Sequence, residues 1–127
     1  MNDRISYWLE IAEYDLETAR DMLAAGRYLY VGFMCHQVIE KTLKAAVANT
    51  GEFPPKSHRL RMLAELAGVY DRMDETQRNF LNLLEPLNIE ARYPGEKSRI
   101  SSELNADRSL SIMKQTQEVY EWIKATL

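Results

Sequence analysis

The segment Gly32-Phe33-Met34-Cys35-His36-Gln37-Val38-Ile39-Glu40-Lys41-Thr42-Leu43-Lys44 decides the fold of this chain. On a helix of roughly 3.6 residues per turn, its apolar residues and their neighbours share one broad arc. That arc contains Val31, Met34, Cys35, Val38, Ile39, Thr42, Leu43, Ala45 and Ala46. The polar residues Gln37, Glu40, Lys41 and Lys44 recur at i, i+3, i+4 and i+7, so they share the opposite face. An apolar arc this wide predicts a central helix that packs against more than one neighbour.

Working outward from this segment, helical periodicity and capping residues predict the other elements. We expect an all-α, up-down four-helix-type bundle with an additional short helix, about five helices in all, because no strand pattern is present. A single domain is expected over residues 1–127. Residues 95–103 are polar and are predicted to be mobile. The predicted helices run from Asp3 (N-cap) to Ala25, from Tyr28 to Asn49, from His58 (after a Ser57 cap) to Ala67, from Glu75 (after an Asp74–Gln77 capping box) to Leu84, and from Asn105 to Ala125.

Composition favours a cytoplasmic location. The single cysteine, Cys35, allows no intrachain disulfide and lies in the apolar arc, where we interpret it as a core residue. No apolar run approaches the roughly 18 residues of a membrane span, and no secretion signal is present. Two histidines and one cysteine without metal-ligand spacing argue against a zinc site. We therefore expect no metal, no cofactor and no membrane association.

The charges are unevenly distributed along the chain. The net charge is -3, yet residues 1–30 hold six acids against three bases, whereas residues 41–61 hold five bases against one acid. A local basic surface is therefore compatible with an acidic chain. Solvated helix faces are the alternative interpretation of the same pattern.

Four polar or small residues require an interpretation of their own, and Asp15 and His58 have two each. Asp15 points into the apolar face of the first helix, so it needs a Tyr or Lys partner, or serves as a counter-charge for an Arg in a functional cleft. His36 is interpreted as a partly buried structural histidine that can pair with Glu40. His58 is exposed or caps its helix, or it approaches a phosphate at the helix N-terminus. Gly32 suggests the close approach of another backbone.

Four short motifs, taken together and in order, resemble the HEPN domain family, whose helical proteins often lie beside minimal nucleotidyltransferases in prokaryotes. The resemblance covers nearly the whole chain. The motifs are Trp8 with Ala12, Asp15-Leu16 and Ala19; Gln37-Val38-Ile39-Glu40-Lys41-Thr42-Leu43-Lys44-Ala45; Pro54-Pro55 followed by His58-Arg59-Leu60; and Ala91-Arg92-Tyr93-Pro94.

The resemblance implies an up-down bundle with a side helix, commonly a homodimer, and a link to RNA or nucleotides. Many HEPN proteins are metal-independent ribonucleases, including toxins of toxin–antitoxin pairs, whose catalytic motif is an Arg and a His separated by four to six residues. This sequence lacks that motif. Lys97, Ser98 and Arg99 stand where the His would follow Arg92, and Arg27 precedes His36 with eight residues between them.

Three hypotheses remain open. In the first, a dimer binds nucleotide, RNA or a nucleotidyltransferase partner, as one component of a two-gene toxin–antitoxin-type system. Its ligand-binding residues would be Gln37, Glu40, Lys41, Lys44 and Tyr93 beside His58 and Arg92, supported from behind by Asp15 and His36.

In the second hypothesis, the chain is a ribonuclease toxin with an altered site. Arg92 would stabilise charge, and His58 or His36 would transfer the proton. In the third, the polar stripe is structural, with Glu40 paired to Lys44. Phe33 and Val47 border this stripe, so we expect that side of the helix to contribute to self-association.

Overall fold

The computed structural model describes residues 2–127, and this part of the chain contains six α-helices and no strand. Three single 3-10 turns, at Tyr70–Arg72, Glu85–Leu87 and Ile89–Ala91, complete the connections. The all-α prediction is confirmed, with one helix more than expected. The helices are α1 (Asp3–Ala24), α2 (Tyr28–Asn49), α3 (Leu60–Leu66), α4 (Glu75–Leu84), α5 (Pro94–Glu103) and α6 (Ala106–Ala125).

The first two helices form an antiparallel hairpin. Gly26 makes the tight connection with φ of 73°, a backbone conformation that costs glycine little and other residues more. The N-cap of α1 is Asn2 rather than the predicted Asp3. The Asn2 side-chain oxygen accepts bonds from the backbone N–H groups of Arg4 and Ile5, at 2.9 and 3.1 Å, and so satisfies donors that the helix leaves unpaired.

Helix α2 is the centre of the bundle and begins and ends where the sequence predicts. It packs along α1 and α6, and α3 also contacts it. The apolar arc of α2, including Cys35, is buried except for Met34, which is partly buried. Gly32 lies against the side chains of Leu87 and Leu104, and a Cβ added at this position would lie 3.2 and 3.3 Å from their Cδ1 atoms. The close neighbours of Gly32 are therefore side chains and not the backbone that the sequence predicted.

The two short helices α3 and α4 cover one side of α2. Helix α4 begins with the predicted capping box, in which Asp74 and Gln77 each accept a bond from the other's backbone N–H. The prediction for α3 was wrong at its start. The helix begins at Leu60, after His58, and Ser57 does not cap it. The Glu85 carboxylate instead accepts a bond from the Leu60 N–H, which caps α3 from a distant part of the chain.

The predicted mobile segment is a helix. Pro94 occupies the first helical turn of α5, where its missing N–H costs nothing and its fixed φ suits the helix. Ile100 and Leu104 are buried, at 4% and 8% exposure, and anchor this otherwise polar helix against the bundle. Tyr93, just before Pro94, is extended with φ of -71° and ψ of 157°, as expected for a residue before proline.

None of the helices within residues 2–127 combines the length and apolar character that crossing a membrane requires.

Candidate functional site: a basic cleft beside a buried charge cluster

A buried cluster of charges lies on the polar stripe of α2. Glu40 is fully buried, and its carboxylate lies 3.2 Å from Lys41 Nζ, 3.3 Å from Lys44 Nζ and 3.0 Å from His58 Nδ1. We call these four residues the Glu40 cluster. Periodicity predicts that the stripe lies opposite the core. That interpretation was wrong for Glu40 and Lys44, because the loop that carries His58 and the first helix cover this face.

The Glu40 cluster holds its carboxylate ionised. Burial alone raises the pKa of Glu40, but the ammonium groups of Lys41 and Lys44 and the hydrogen bond with His58 outweigh burial and leave the pKa below its usual value. Lys44 also lies above the Trp8 ring, with Nζ 5.3 Å from the ring centroid. Each charge in the cluster therefore has a partner.

Val47, predicted to border an exposed stripe, is 2% exposed and belongs to the core. The expectation that Val47 contributes to a self-association surface was therefore wrong. Phe33 is half-buried, packs against the core and meets the Tyr30 ring edge-on, at 6.5 Å between centroids.

A chain of polar contacts links this cluster to His36. Lys41 Nζ donates a hydrogen bond to Gln37 Oε1 at 2.8 Å, and Gln37 Nε2 lies 3.4 Å from His36 Nδ1. His36 was predicted to be partly buried but is fully buried. Burial lowers the pKa of His36 to about 4, because the interior disfavours the charged imidazolium. His36 is therefore neutral at physiological pH, and its Nε2 has no hydrogen-bond partner among the described residues.

Beside His36 the surface opens into a cleft of about 490 Å³, which we call the basic cleft. The loop before α3 supplies Lys56, His58 and Arg59 from one side, and the segment before α5 supplies Arg92 from the other. The cleft is lined by His36, Lys56, Ser57, His58, Arg59, Glu85, Asn88, Ala91 and Arg92. Its one acidic side chain, Glu85, accepts the Leu60 N–H through one carboxylate oxygen, and the other charged side chains of the lining, Lys56, Arg59 and Arg92, are cations.

Arg92 is loosely held within the basic cleft. Its Nη2 donates to the Glu85 backbone carbonyl at 3.2 Å, and its Nη1 lies 3.6 Å from the Glu96 carboxylate. Its Nε is buried and has no acceptor among the described residues. Its backbone is extended and directly follows the 3-10 turn Ile89–Ala91. The side chain thus retains unused capacity to donate hydrogen bonds.

His58 joins the basic cleft to the Glu40 cluster. Its Nδ1 faces the Glu40 carboxylate, while 63% of the side chain is exposed. Pro54 and Pro55 restrict the loop that carries it. Such an arrangement can bind an anion or move a proton, because the buried carboxylate orients the ring and leaves the other nitrogen available.

Asp15 lies outside this network of direct contacts. It is half-buried, and burial raises the pKa of its carboxyl group while Lys41 opposes that rise. Asp15 was predicted to pair with a Tyr or Lys side chain or with an Arg. Within residues 2–127, no such side chain lies within hydrogen-bond or ion-pair distance of its carboxylate. No group of three or more His, Cys, Asp or Glu side chains that could hold a metal ion is found in the same residues.

Comparison with known proteins identifies the family. The family model described as HEPN domain matches residues 5–126. The chain belongs to the HEPN domain family. A search of curated proteins finds no match.

Two solved structures share this HEPN fold. The crystal structure of TT1696 from Thermus thermophilus is 22% identical, and the match covers 99% of this chain and 100% of that one with a TM-score of 0.82. The structure of ST0689, an archaeal HEPN homologue, is 19% identical, with 98% of each chain covered and a TM-score of 0.68.

Apart from Asp15, the site residues predicted from the sequence fall into two groups in this HEPN domain. Arg92, His58 and His36 line the basic cleft. Gln37, Glu40, Lys41 and Lys44 lie on α2 outside its lining, within or next to the Glu40 cluster, and Tyr93 is 79% exposed outside the lining as well. Sequence reasoning did not single out Lys56, Arg59 and Asn88 as site residues, although the first two belong to the basic run that the charge distribution shows.

Proposed function

We propose that this HEPN domain binds a phosphate-bearing ligand, a nucleotide or RNA, in the basic cleft. One observation carries the proposal: Lys56, Arg59 and Arg92 converge there from two separate segments, together with His58, in a chain of net charge -3. Cations and planar guanidinium donors are the groups that recognise phosphate. A cluster of cations on a chain of net negative charge also raises the local attraction for polyanions at that cleft.

Binding of a fluorescent oligouridylate, followed by anisotropy at several salt concentrations, tests this proposal. We expect binding by the wild type to weaken as the salt concentration rises. The salt dependence should be shallower for Lys56→Ala, because a protein with one phosphate contact fewer releases fewer counterions when it binds. The matched control is Lys114→Ala, an exposed lysine on α6 outside the basic cleft. Equal losses in the two lysine variants would overturn the assignment of the binding site to the basic cleft.

A second candidate function is a metal-independent ribonuclease with an altered active site. The contact of His58 Nδ1 with the buried Glu40 carboxylate, at 3.0 Å, favours it, because it supports the ring whose other nitrogen would take a proton from the RNA 2′-hydroxyl. Arg92 would then stabilise the negative charge at phosphorus. In this reaction the 2′-oxygen attacks the phosphorus and the bond to the 5′-oxygen breaks. The protonated His58 then returns the proton to the leaving 5′-oxygen, which regenerates the histidine.

Incubation of RNA with the protein in chelator distinguishes the two candidates. Cleavage by the wild type that is lost in both His58→Asn and Arg92→Ala would establish the ribonuclease. If the protein binds oligouridylate without cleaving RNA, the binding function is supported and the ribonuclease is refuted.

Family membership supports a proposal about partners. We propose that the domain forms a homodimer in the cytoplasm and works beside a minimal nucleotidyltransferase in a two-gene, toxin–antitoxin-type system. The Tyr30–Phe33 pair, with Tyr30 49% exposed, offers an apolar contact for the second copy. A monomer in light scattering at micromolar concentration would refute the dimer. Expression of the domain alone that does not slow growth would refute the ribonuclease toxin of the second candidate function.

A further inference from the structure

Two hydrogen-bond donors in the wall of the basic cleft have no acceptor. His36 Nε2 and Arg92 Nε are both buried, and neither has a partner among the described residues. Both residues line the basic cleft. Burial is the largest cause of the lowered His36 pKa, and the charge of Arg92 makes the smallest contribution, behind those of His58 and Lys41. Buried donors nearly always find acceptors in folded proteins. Two unpaired donors on residues that line one cleft therefore point to an acceptor that residues 2–127 do not supply.

The contacts of His36 decide which of its two ring nitrogens carries the proton. Lys41 can only donate, so the Gln37 oxygen must face Lys41 Nζ, at 2.8 Å. The Gln37 amide NH₂ consequently faces His36 Nδ1, at 3.4 Å. A donor facing Nδ1 requires Nδ1 to accept, which leaves the proton on Nε2.

Glu40 does not reverse this assignment. Its nearest oxygen lies 3.8 Å from His36 Nδ1, beyond hydrogen-bond distance, and the same oxygen already faces His58 Nδ1 at 3.0 Å. Lys41 and Lys44 occupy the other carboxylate oxygen. The buried carboxylate is therefore satisfied without a proton on His36 Nδ1.

We propose that His36 Nε2–H and Arg92 Nε–H donate to oxygens of one bound phosphoryl group, with Lys41 and Gln37 holding His36 in the Nε2–H tautomer. His36 is then a ligand-binding residue, and Gln37 and Lys41 are positioning residues. The inference rests on the proposed function and assigns a role to stripe residues that lie outside the cleft lining. Both nitrogens are buried in the free protein, so binding requires a local movement of the cleft wall that exposes them together.

The tautomer is tested without any ligand. The chain contains two histidines, so two-bond ¹H–¹⁵N spectra of the labelled protein resolve both rings, and His58→Asn assigns them. We expect the His36 signals of an imidazole protonated at Nε2. A spectrum showing the proton on Nδ1 would overturn the inference and leave the proposed function untouched.

Gln37 variants then connect the tautomer to binding. In Gln37→Glu the new carboxylate accepts from His36 Nδ1, so the tautomer reverses and oligouridylate affinity falls by roughly ten-fold, the value of one lost hydrogen bond. Gln37→Met adds no charge and is expected to lower affinity by less. It removes the amide that favours the Nε2–H tautomer of His36, but it supplies no acceptor that would favour the Nδ1–H tautomer. Unchanged affinity in both variants, with a reversed tautomer in Gln37→Glu, would overturn the inference.

Addition of oligouridylate to the wild type separates the remaining outcomes. We expect the His36 Nε2 resonance to shift on binding. Binding that leaves this resonance unmoved but is lost in Arg92→Ala would overturn the inference while supporting the proposed function. A wild type that binds neither oligouridylate nor inorganic phosphate would overturn both.

Discussion

The Glu40 cluster and the basic cleft share His58 and lie side by side, yet they differ in how their polar groups are satisfied. In the Glu40 cluster, three cationic or histidine groups surround one buried carboxylate at 3.0 to 3.3 Å. In the basic cleft, His36 Nε2 and Arg92 Nε have no acceptor among the described residues. Both regions are rich in charge, but only the cluster is complete within the chain.

This difference separates a structural role from a binding role. Removing one member of a completed buried network leaves its partners unpaired, so the cost falls on stability. Removing a donor that has no partner in the free protein costs the fold little, so the cost falls on the ligand. The four experiments below test that division, in order of decreasing expected effect.

Glu40→Gln tests the completeness of the Glu40 cluster. Loss of the negative charge leaves Lys41 and Lys44 without a counter-charge, and we expect a loss of about 3 kcal/mol or more in the free energy of unfolding at pH 7. Because folding lowers the Glu40 pKa, the advantage of the wild type exists above the unfolded pKa and fades as the pH falls through the folded value. Urea unfolding at several pH values measures this difference, and a variant as stable as the wild type would contradict the structural role.

The burial of His36 predicts that the free energy of unfolding decreases at acid pH. Its pKa is about 4 in the folded protein against 6.5 for an unperturbed histidine, so the unfolded chain binds a proton in that interval and the folded protein does not. The contribution to stability is full above pH 6.5 and is lost as the pH falls towards 4, amounting to roughly 3 kcal/mol. Urea unfolding of wild type and His36→Gln between pH 7 and 4 measures it. Parallel pH profiles would show that His36 is not buried in its neutral form.

Arg92→Ala tests the basic cleft. We expect oligouridylate affinity to fall by about 2 kcal/mol, since a charge-assisted donor is lost, while the free energy of unfolding changes by less than about 1 kcal/mol. The matched control is Arg99→Ala, because Arg99 forms the same kind of i, i+4 contact, with Glu103 at 3.6 Å, outside the basic cleft. Anisotropy and urea unfolding of both variants give the comparison, and a larger effect on stability than on binding would reverse our assignment.

Glu65→Gln provides the smallest expected effect. Arg61 and Glu65 form an i, i+4 pair like Glu40 and Lys44, but their side chains are 62% and 54% exposed. Water screens such a pair, so we expect a change of less than about 0.5 kcal/mol in the free energy of unfolding. A loss comparable to that of Glu40→Gln would show that burial does not explain the difference between the two pairs.

The sequence predicted the parts of the fold that depend on local rules. The limits of α2 follow from a sustained apolar arc, and the start of α4 follows from the Asp74–Gln77 capping box. The errors arose where a distant element decides the outcome. Helix α5 was missed because its burial depends on Ile100 and Leu104 alone, and because the Pro94-Gly95 pair, which predicts a turn, begins a helix here.

The candidate site was only partly predictable for a related reason. The motifs selected Arg92, His58 and His36, which the fold brings to one cleft. Periodicity assigned Glu40 and Lys44 to a solvated face, because it cannot detect that a loop more than ten residues away in sequence covers them. The unpaired state of His36 Nε2 is a property of three-dimensional contacts, and no sequence pattern reports it.

The Nε–H resonances of the arginines during a titration with inorganic phosphate test the central claim most directly. We predict that the Arg92 Nε–H signal shifts and saturates while that of Arg99 stays unchanged, and that chloride at the same ionic strength does not reproduce the shift. An unmoved Arg92 signal, or equal shifts of both arginines, would contradict the claim that the basic cleft binds phosphate.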